Sequence, residues 1–179
     1  LRYGIPNYRL PKDRLEEDVN SILKTGVQVK YGLKIGQDIT IQELRKQYDA
    51  VLITIGASTD KKLGLEGEDA DGVLSAVQFL RNVGKNEIMD LSGKEVAVIG
   101  GGNVSMAEGI ELQTLKAPAA IDVNEEGHVK GIYVTPQMVS AIRDGRASIK
   151  PTGEEDVYIP CDVLIVAIGQ NIETRHFEE

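Results

Sequence analysis

The sequence predicts an α/β protein in which several strands are buried on both faces. Two nearly continuous apolar runs, "YDAVLITIGAS" and "CDVLIVAIGQN", open at Asp49 and Asp162 and pass into Ile-Gly. A third, "EVAVIGGG", runs straight into glycines. Helical periodicity precedes the first and third runs, and such alternation marks a sheet covered by helices.

Each element has its own signal. In "LPKDRLEEDVNSILKTG", Pro11 suits a first helical turn, Leu15, Val19, Ile22 and Leu23 share one face, and Gly26 is the stop. "VQVKYGLKI" alternates Val27, Val29, Tyr31 and Leu33 against polar neighbours and predicts a half-buried strand, weakened by Gly32. Thr40 and Glu43 form a capping box opening a short helix to about Gln47. The buried strand of "YDAVLITIGAS" follows and ends at Gly56. Residues 59–73 turn to Gly, Asp and Glu without periodicity, so a domain crossing is placed there. Ser75 caps a helix to about Val83, with Val77 and Leu80 on its inner side. After "EVAVIGGG" the last third reads as sheet: "IELQTLKAPAAIDV", a tight "NEEG" turn, "HVKGIYVTP", a polar excursion "RDGRASIKPTGEED", and "YIPCDVLIVAIGQN".

Composition narrows the function classes. At 179 residues and 41% hydrophobic, the chain can form one ordinary domain or two small ones with a real core. A net charge of -8 argues against nucleic acid or an anionic membrane as partner. A single cysteine, Cys161, excludes an intramolecular disulfide and a CxxC pair, and two histidines are too few for a histidine-rich metal site. There is no apolar signal core and no apolar run of roughly 20 residues, so a cytoplasmic location is expected. With leucine at position 1, the chain is expected to be a piece of something longer.

Gly100-x-Gly102-x-x-Ser105 directly follows a buried strand. Gly100 permits the sharp turn, Gly102 lets the backbone approach a pyrophosphate, and Ser105 is small enough for a helix to pack on the strand. Phosphates would meet free N–H groups between Gly102 and Val104, with no cationic side chain required. The alternative is a plain turn, since three glycines also make an ordinary loop. A dinucleotide site further needs a helix and a second parallel strand ending in a ribose-reading residue. Asp122 stands 20 residues after Gly102, but Gly109 and Pro118 interrupt the stretch between and "NEEG" follows, so Asp122 reads as a hairpin residue. The awkward join falls near Met106 and Ala107.

"YGIPNYRLP", "YDAVLITIGAS", "VAVIGGGNVSM" and "CDVLIVAIGQN", in that order, closely resemble the flavoprotein family typified by the small (beta) subunit of NADPH-dependent glutamate synthase, among the FAD- and NAD(P)-dependent pyridine nucleotide-disulfide oxidoreductase-like proteins. The resemblance covers nearly the whole chain. It implies an FAD/NAD(P)-binding Rossmann-like α/β fold, nested two-domain and three-layer, present here as a partial chain. Residues 1–72 would then be a partial FAD-binding domain, 73–170 the NAD(P)-binding domain, and 171–179 the return toward the FAD domain. The family's helix, arginine-bearing second strand and further helix would be missing between Met106 and Ala107. Its first FAD fingerprint and its iron–sulfur cysteines have no counterpart in this chain, so this piece alone is expected to hold FAD weakly or not at all.

By the same resemblance, Gly100, Gly101, Gly102, Asn103, Val104 and Ser105 match the pyrophosphate loop. Thr54, Gly56 and Ala57 match a turn against FAD, Ile168, Gly169 and Gln170 match a turn near nicotinamide and flavin, and Arg9 matches a position near the flavin. Bland readings stand beside these: a strand-end hydroxyl for Thr54, a surface ion pair for Arg9, a simple bend for Gly169. Cys161 is expected as a small buried residue, Asp49 and Asp162 as turn caps, and His128 and His176 as exposed polar groups. The implied activity is hydride transfer from NADPH (or NADH) to FAD, with electrons passed on to iron–sulfur centres or a large catalytic partner subunit. No acid, base, nucleophile or metal ligand is assigned. The absence of a CxxC before "GKEVAVIGGG" counts against the thioredoxin reductase branch. A nucleotide-binding or docking module without redox activity, and a sheet-rich interaction protein, are the competing classes.

Overall fold

The computed structural model describes residues 1–100, 111–143 and 145–174. In chain order the elements are α1 (Lys12–Leu23), α2 (Ile41–Gln47), β1 (Thr59–Asp60), β2 (Val73–Ser75), α3 (Ala76–Gly84), β3 (Val96–Ile99), β4 (Lys116–Val123), β5 (Val129–Arg143), β6 (Arg146–Pro151), β7 (Val157–Pro160), β8 (Val163–Val166) and β9 (Gln170–Asn171).

The first 58 residues carry helices but no core. Helix α2 opens on the predicted box: the Glu43 N–H donates to Thr40 Oγ1 at 3.2 Å and the Thr40 N–H to the Glu43 carboxylate at 2.8 Å. The backbone bond, then the hydroxyl bond, holds the Glu43 carboxyl below its usual range. Two predicted strands do not form. Residues 27–35 are irregular, because Gly32 at φ +71 takes the backbone out of the extended region, and only an isolated bridge joins Ile35 to Ile39. Residues 50–57 are equally irregular, with Leu52 88% exposed. A continuous apolar run suits burial on both faces, but a strand also needs neighbours for its backbone groups, and no described strand lies beside this one. No residue described before Thr59 is buried.

The core begins with the parallel sheet, in the order β2-β8-β3. Helix α3, capped by Ser75 as predicted, covers one face. There Ala76 and Phe79 pack with Val163 and Ile165. The antiparallel sheet of β4, β5, β6 and β7 covers the other face, where Val129, Ile132 and Val134 pack with Leu164. Strand β8 therefore alternates between two apolar layers. Burying a side chain such as Leu164, which is 0% exposed, contributes about 1.5–3 kcal/mol.

The last third refines the predicted sheet. "YIPCDVLIVAIGQN" divides at Cys161 and Asp162 into antiparallel β7 and parallel β8. Asp162 fixes the corner as a cap: its carboxylate accepts the Glu95 N–H at 2.8 Å and its own N–H donates to the Glu95 carbonyl at 2.8 Å. The predicted polar excursion contains strand β6, in which Ile149 lies opposite Val139 and Ala147 opposite Ile142. Its hairpin signal is the Asp144-Gly145 dipeptide. In the "NEEG" turn, Asn124 Oδ1 accepts the N–H groups of Glu126 and His128. His128 is more than an exposed polar group, since its Nδ1 lies 2.7 Å from the Asp71 carboxylate. The strand that follows β3 is β4, and it pairs with β5, so among the described residues β3 is an edge of its sheet. Met106, Ala107 and Gly109 lie outside the described residues, as does His176.

Two outcomes test this packing. Leu164→Ala is expected to lower stability by about 2–5 kcal/mol in urea denaturation, whereas Leu52→Ala should stay within about 0.5 kcal/mol of the parent. Burial pushes the Cys161 thiol from an ordinary 9.0 up to about 11. The folded state therefore holds that proton more tightly, and its contribution is complete below pH 9 and fades as pH rises toward 11. The urea midpoint of the parent is expected to fall across that window more steeply than that of Cys161→Ala.

Candidate functional site

Strands β2, β8 and β3 run in one direction, so their carboxyl ends share an edge. Ser75, Val166 and Ile99 stand in register across it. Just beyond, Gly100 (φ +131) leaves β3 against the chain leaving β8: the Ala167 N–H donates to the Ile99 carbonyl at 2.8 Å, and a Cβ on Gly100 would strike the Ala167 backbone. Only glycine meets both the dihedral and the close approach. Ile168 follows half exposed, Gly169 bends at φ +114, and Gln170 enters β9.

Strands β1 and β9 form a short ribbon at this edge. Thr59 stands opposite Asn171 and Asp60 opposite Gln170, and the Lys61 N–H donates to the Gly169 carbonyl at 3.1 Å. Asp60 ties the ribbon to α3. Its carboxylate accepts from Ser75 Oγ and, at 3.3 Å, from the Val77 N–H, while Ser75 Oγ accepts the Gln78 N–H at 3.0 Å. Two of the first N–H groups of α3, those of Val77 and Gln78, are thus satisfied by protein groups. Lys62 turns away to Asp69 at 2.5 Å, and that hydrogen bond raises its pKa.

The predicted residues divide accordingly. Gly100, Ile168, Gly169 and Gln170 are brought to one edge. Gly101, Gly102, Asn103, Val104 and Ser105 lie outside the described residues. Thr54, Gly56 and Ala57 sit on the irregular stretch that leads into β1, with nothing within 4 Å of a Cβ placed on Gly56. Arg9 lies on the N-terminal turns, whose Tyr3 packs on Gly84 at the opposite end of α3 from Ser75. Asp122 is engaged in the antiparallel sheet, accepting from the Tyr158 hydroxyl at 3.1 Å. Sequence reading missed Asp60, Lys61 and Ala167 as parts of this edge. Asp60 and Lys61 fall in the aperiodic stretch read only as a crossing, and no local pattern ties them to Ser75 or Gly169. Among the described residues no group of three His, Cys, Asp or Glu side chains could hold a metal ion, and no helix is long and apolar enough to cross a membrane.

A parallel sheet with a glycine turn and a strand crossing at its carboxyl edge defines the class of α/β proteins that take ligands at that edge. The chain belongs to the pyridine nucleotide-disulphide oxidoreductase family, which its residues 5–179 match. It is 32% identical to the NADP(+)-dependent formate dehydrogenase subunit beta of Moorella thermoacetica over 209 residues, covering 95% of this chain and 29% of that one. It is 27% identical over 216 residues to the glutamate synthase [NADPH] small chain of Escherichia coli, covering 94% of this chain and 46% of that one. The predicted likeness to glutamate synthase small subunits and related NADPH-dependent oxidoreductases is therefore borne out. The structure of Mycobacterium tuberculosis FprA in complex with NADPH matches with a TM-score of 0.75 at 16% identity, over 97% of this chain and 62% of that one. The fold is the predicted FAD/NAD(P)-binding Rossmann-like α/β fold, in a chain that spans less than half the length of these two curated relatives.

Gly100→Ala tests the edge. Its Cβ has no room beside Ala167 and its φ is unfavourable, so a loss of more than about 1 kcal/mol is expected in urea denaturation. Gly153→Ala, also at positive φ but with nothing within 4 Å, should lose less.

Proposed function

We propose that the chain is the nicotinamide-nucleotide-binding part of an NAD(P)H-dependent flavoprotein oxidoreductase of the glutamate synthase small-subunit type. In the intact protein, nicotinamide and flavin would supply hydride transfer, from NADPH to FAD, with electrons leaving to iron–sulfur centres or a large partner subunit. The observation that carries this reading is the contact of Gly100 with Ala167 at the carboxyl edge of a parallel sheet, in a chain of this family. A bare backbone at that turn suits close approach of a pyrophosphate, and Gly101, Gly102, Asn103, Val104 and Ser105 continue the same loop in sequence. Ile168, Gly169 and Gln170 would border the nicotinamide end. The protein's task is to hold and orient the dinucleotide and keep water out, so no side chain is assigned as acid, base or nucleophile.

The described residues do not fit FAD by themselves. Thr54, Gly56 and Ala57 lie on an exposed stretch without strand neighbours, and Arg9 stands on separate turns. Flavin binding is thus assigned to the longer protein, whose further sequence would flank residues 50–57. We divide the chain as 1–72, 73–170 and 171–179, a division that the pairing of the two crossings in β1 and β9 supports. The alignments with the two relatives run over 209 and 216 positions, more than the 179 residues of this chain. That excess accords with a family segment absent here, which we place near Met106 and Ala107. A cytoplasmic location accords with the acidic composition and single cysteine.

The exposed stretch at residues 50–57 favours one second reading, a nucleotide-binding or docking module without redox activity of its own. Thermal melts with NADPH, NADH and ADP-ribose, alongside an absorbance spectrum of the purified chain, separate the possibilities. A raised Tm with NADPH and with ADP-ribose is expected, and no tightly held flavin. A yellow protein bleached by NADPH would exclude the docking reading, and no shift with any nucleotide would overturn both.

A further inference from the structure

Resting on the nucleotide reading above, we propose that Lys61 is a cofactor-binding residue whose ammonium holds a phosphate oxygen of the nicotinamide dinucleotide at the carboxyl edge of β3 and β8. Anions at such an edge are ordinarily met by the free N–H groups of a helix start. At α3 two of those groups are already engaged: the Val77 N–H bonds to Asp60 and the Gln78 N–H to Ser75. An anion seated against the Gly100 turn therefore gains nothing from these two groups, and a cation from this edge would add to whatever the glycine loop itself supplies. Asp60, bound to Ser75 beside the sheet's carboxyl end, adds a negative charge that a neighbouring cation would offset.

Lys61 is that neighbouring cation. Its backbone N–H on the Gly169 carbonyl at 3.1 Å fixes where the side chain begins. From there Cδ, Cε and Nζ pass 3.6, 3.9 and 4.0 Å from the point a Cβ on Gly169 would occupy. The exposed stem therefore runs along Gly169. Gly169 is two residues from Ala167, at most about 7.6 Å along the backbone, and Ala167 touches Gly100. Among the described residues Lys61 forms no salt bridge, whereas neighbouring Lys62 is held by Asp69. Asp60 is used by Ser75 and Val77. An ammonium is a compact charge with three donors, suited to a phosphate oxygen approached from one side.

The test measures binding of NADPH, inorganic pyrophosphate and nicotinamide riboside to the full chain by calorimetry, at low and high salt, for the parent and for Lys61→Gln, Lys61→Arg and Lys62→Gln. Lys61 is exposed, so the variants should keep the parent's circular dichroism. Lys61→Gln is expected to weaken NADPH and pyrophosphate roughly tenfold, to flatten the salt dependence, and to leave the phosphate-free riboside unchanged. Lys61→Arg should retain most of the affinity, and Lys62→Gln, which removes the same charge one residue away, should match the parent. If Lys61→Gln binds NADPH like the parent with the same salt dependence, the role of Lys61 is overturned and the nucleotide reading survives. If the parent binds pyrophosphate through Lys61 but not NADPH, the anion contact stands and the nucleotide reading falls. Binding of neither overturns both.

Discussion

The burial of β8 between two unlike layers is the constraint on which the rest depends. Its four residues face α3 through Val163 and Ile165 and the antiparallel sheet through Leu164, and both edges are hydrogen-bonded, to β2 and to β3. A strand apolar on both faces has no intrinsic preference between them, so its register must be set at its ends. At the start, Asp162 exchanges bonds with Glu95, and the Leu164 N–H donates to the Gly72 carbonyl at 2.8 Å. Gly72, at φ +85, lies so close to Val129 and Asp162 that a Cβ would not fit. These contacts align β2, β3 and β8 at one end, and the alignment delivers Ala167 to Gly100 at the other.

Residues 1–58 show the opposite case. Helix α2 forms because Thr40 and Glu43 are three residues apart and satisfy each other locally. Helix α1 likewise forms, yet Val19, Ile22 and Leu23 on its apolar face stay exposed. Helices close their hydrogen bonds within the segment, and strands do not. That difference explains why the two helices were legible in sequence and the two early strands were read where none stands. The apolar pattern of residues 50–57 reports a capacity for burial, and capacity becomes structure only beside a neighbour.

The same distinction separates what was legible at the site. Gly100 could be read from strand and spacing, since its role is to leave β3 sharply. Ser75 could be read as a cap. Asp60 and Lys61 could not, because each acquires its place from a partner far along the chain: Asp60 lies opposite Gln170, and Lys61 meets Gly169. Strand β6 was missed for a different reason. Its Arg, Ser and Lys residues gave a polar average that concealed the alternation of Ala147 and Ile149, and the Asp-Gly turn before it was the better signal.

The antiparallel sheet also bears on how a dinucleotide could be discriminated. In sheets of this class the residue that reads the adenosine ribose stands at the end of the strand next to the glycine turn. Here the next strand among the described residues enters the other sheet, where Asp122 pairs with Gly131 and accepts the Tyr158 hydroxyl. Partial desolvation of the Tyr158 hydroxyl, then that bond, raises the phenol pKa, so the hydroxyl remains a donor. Asp122 is thereby committed to the antiparallel sheet. On the proposed reading, recognition by this chain falls on the phosphate and nicotinamide ends, through Gly100, Gly169 and Lys61.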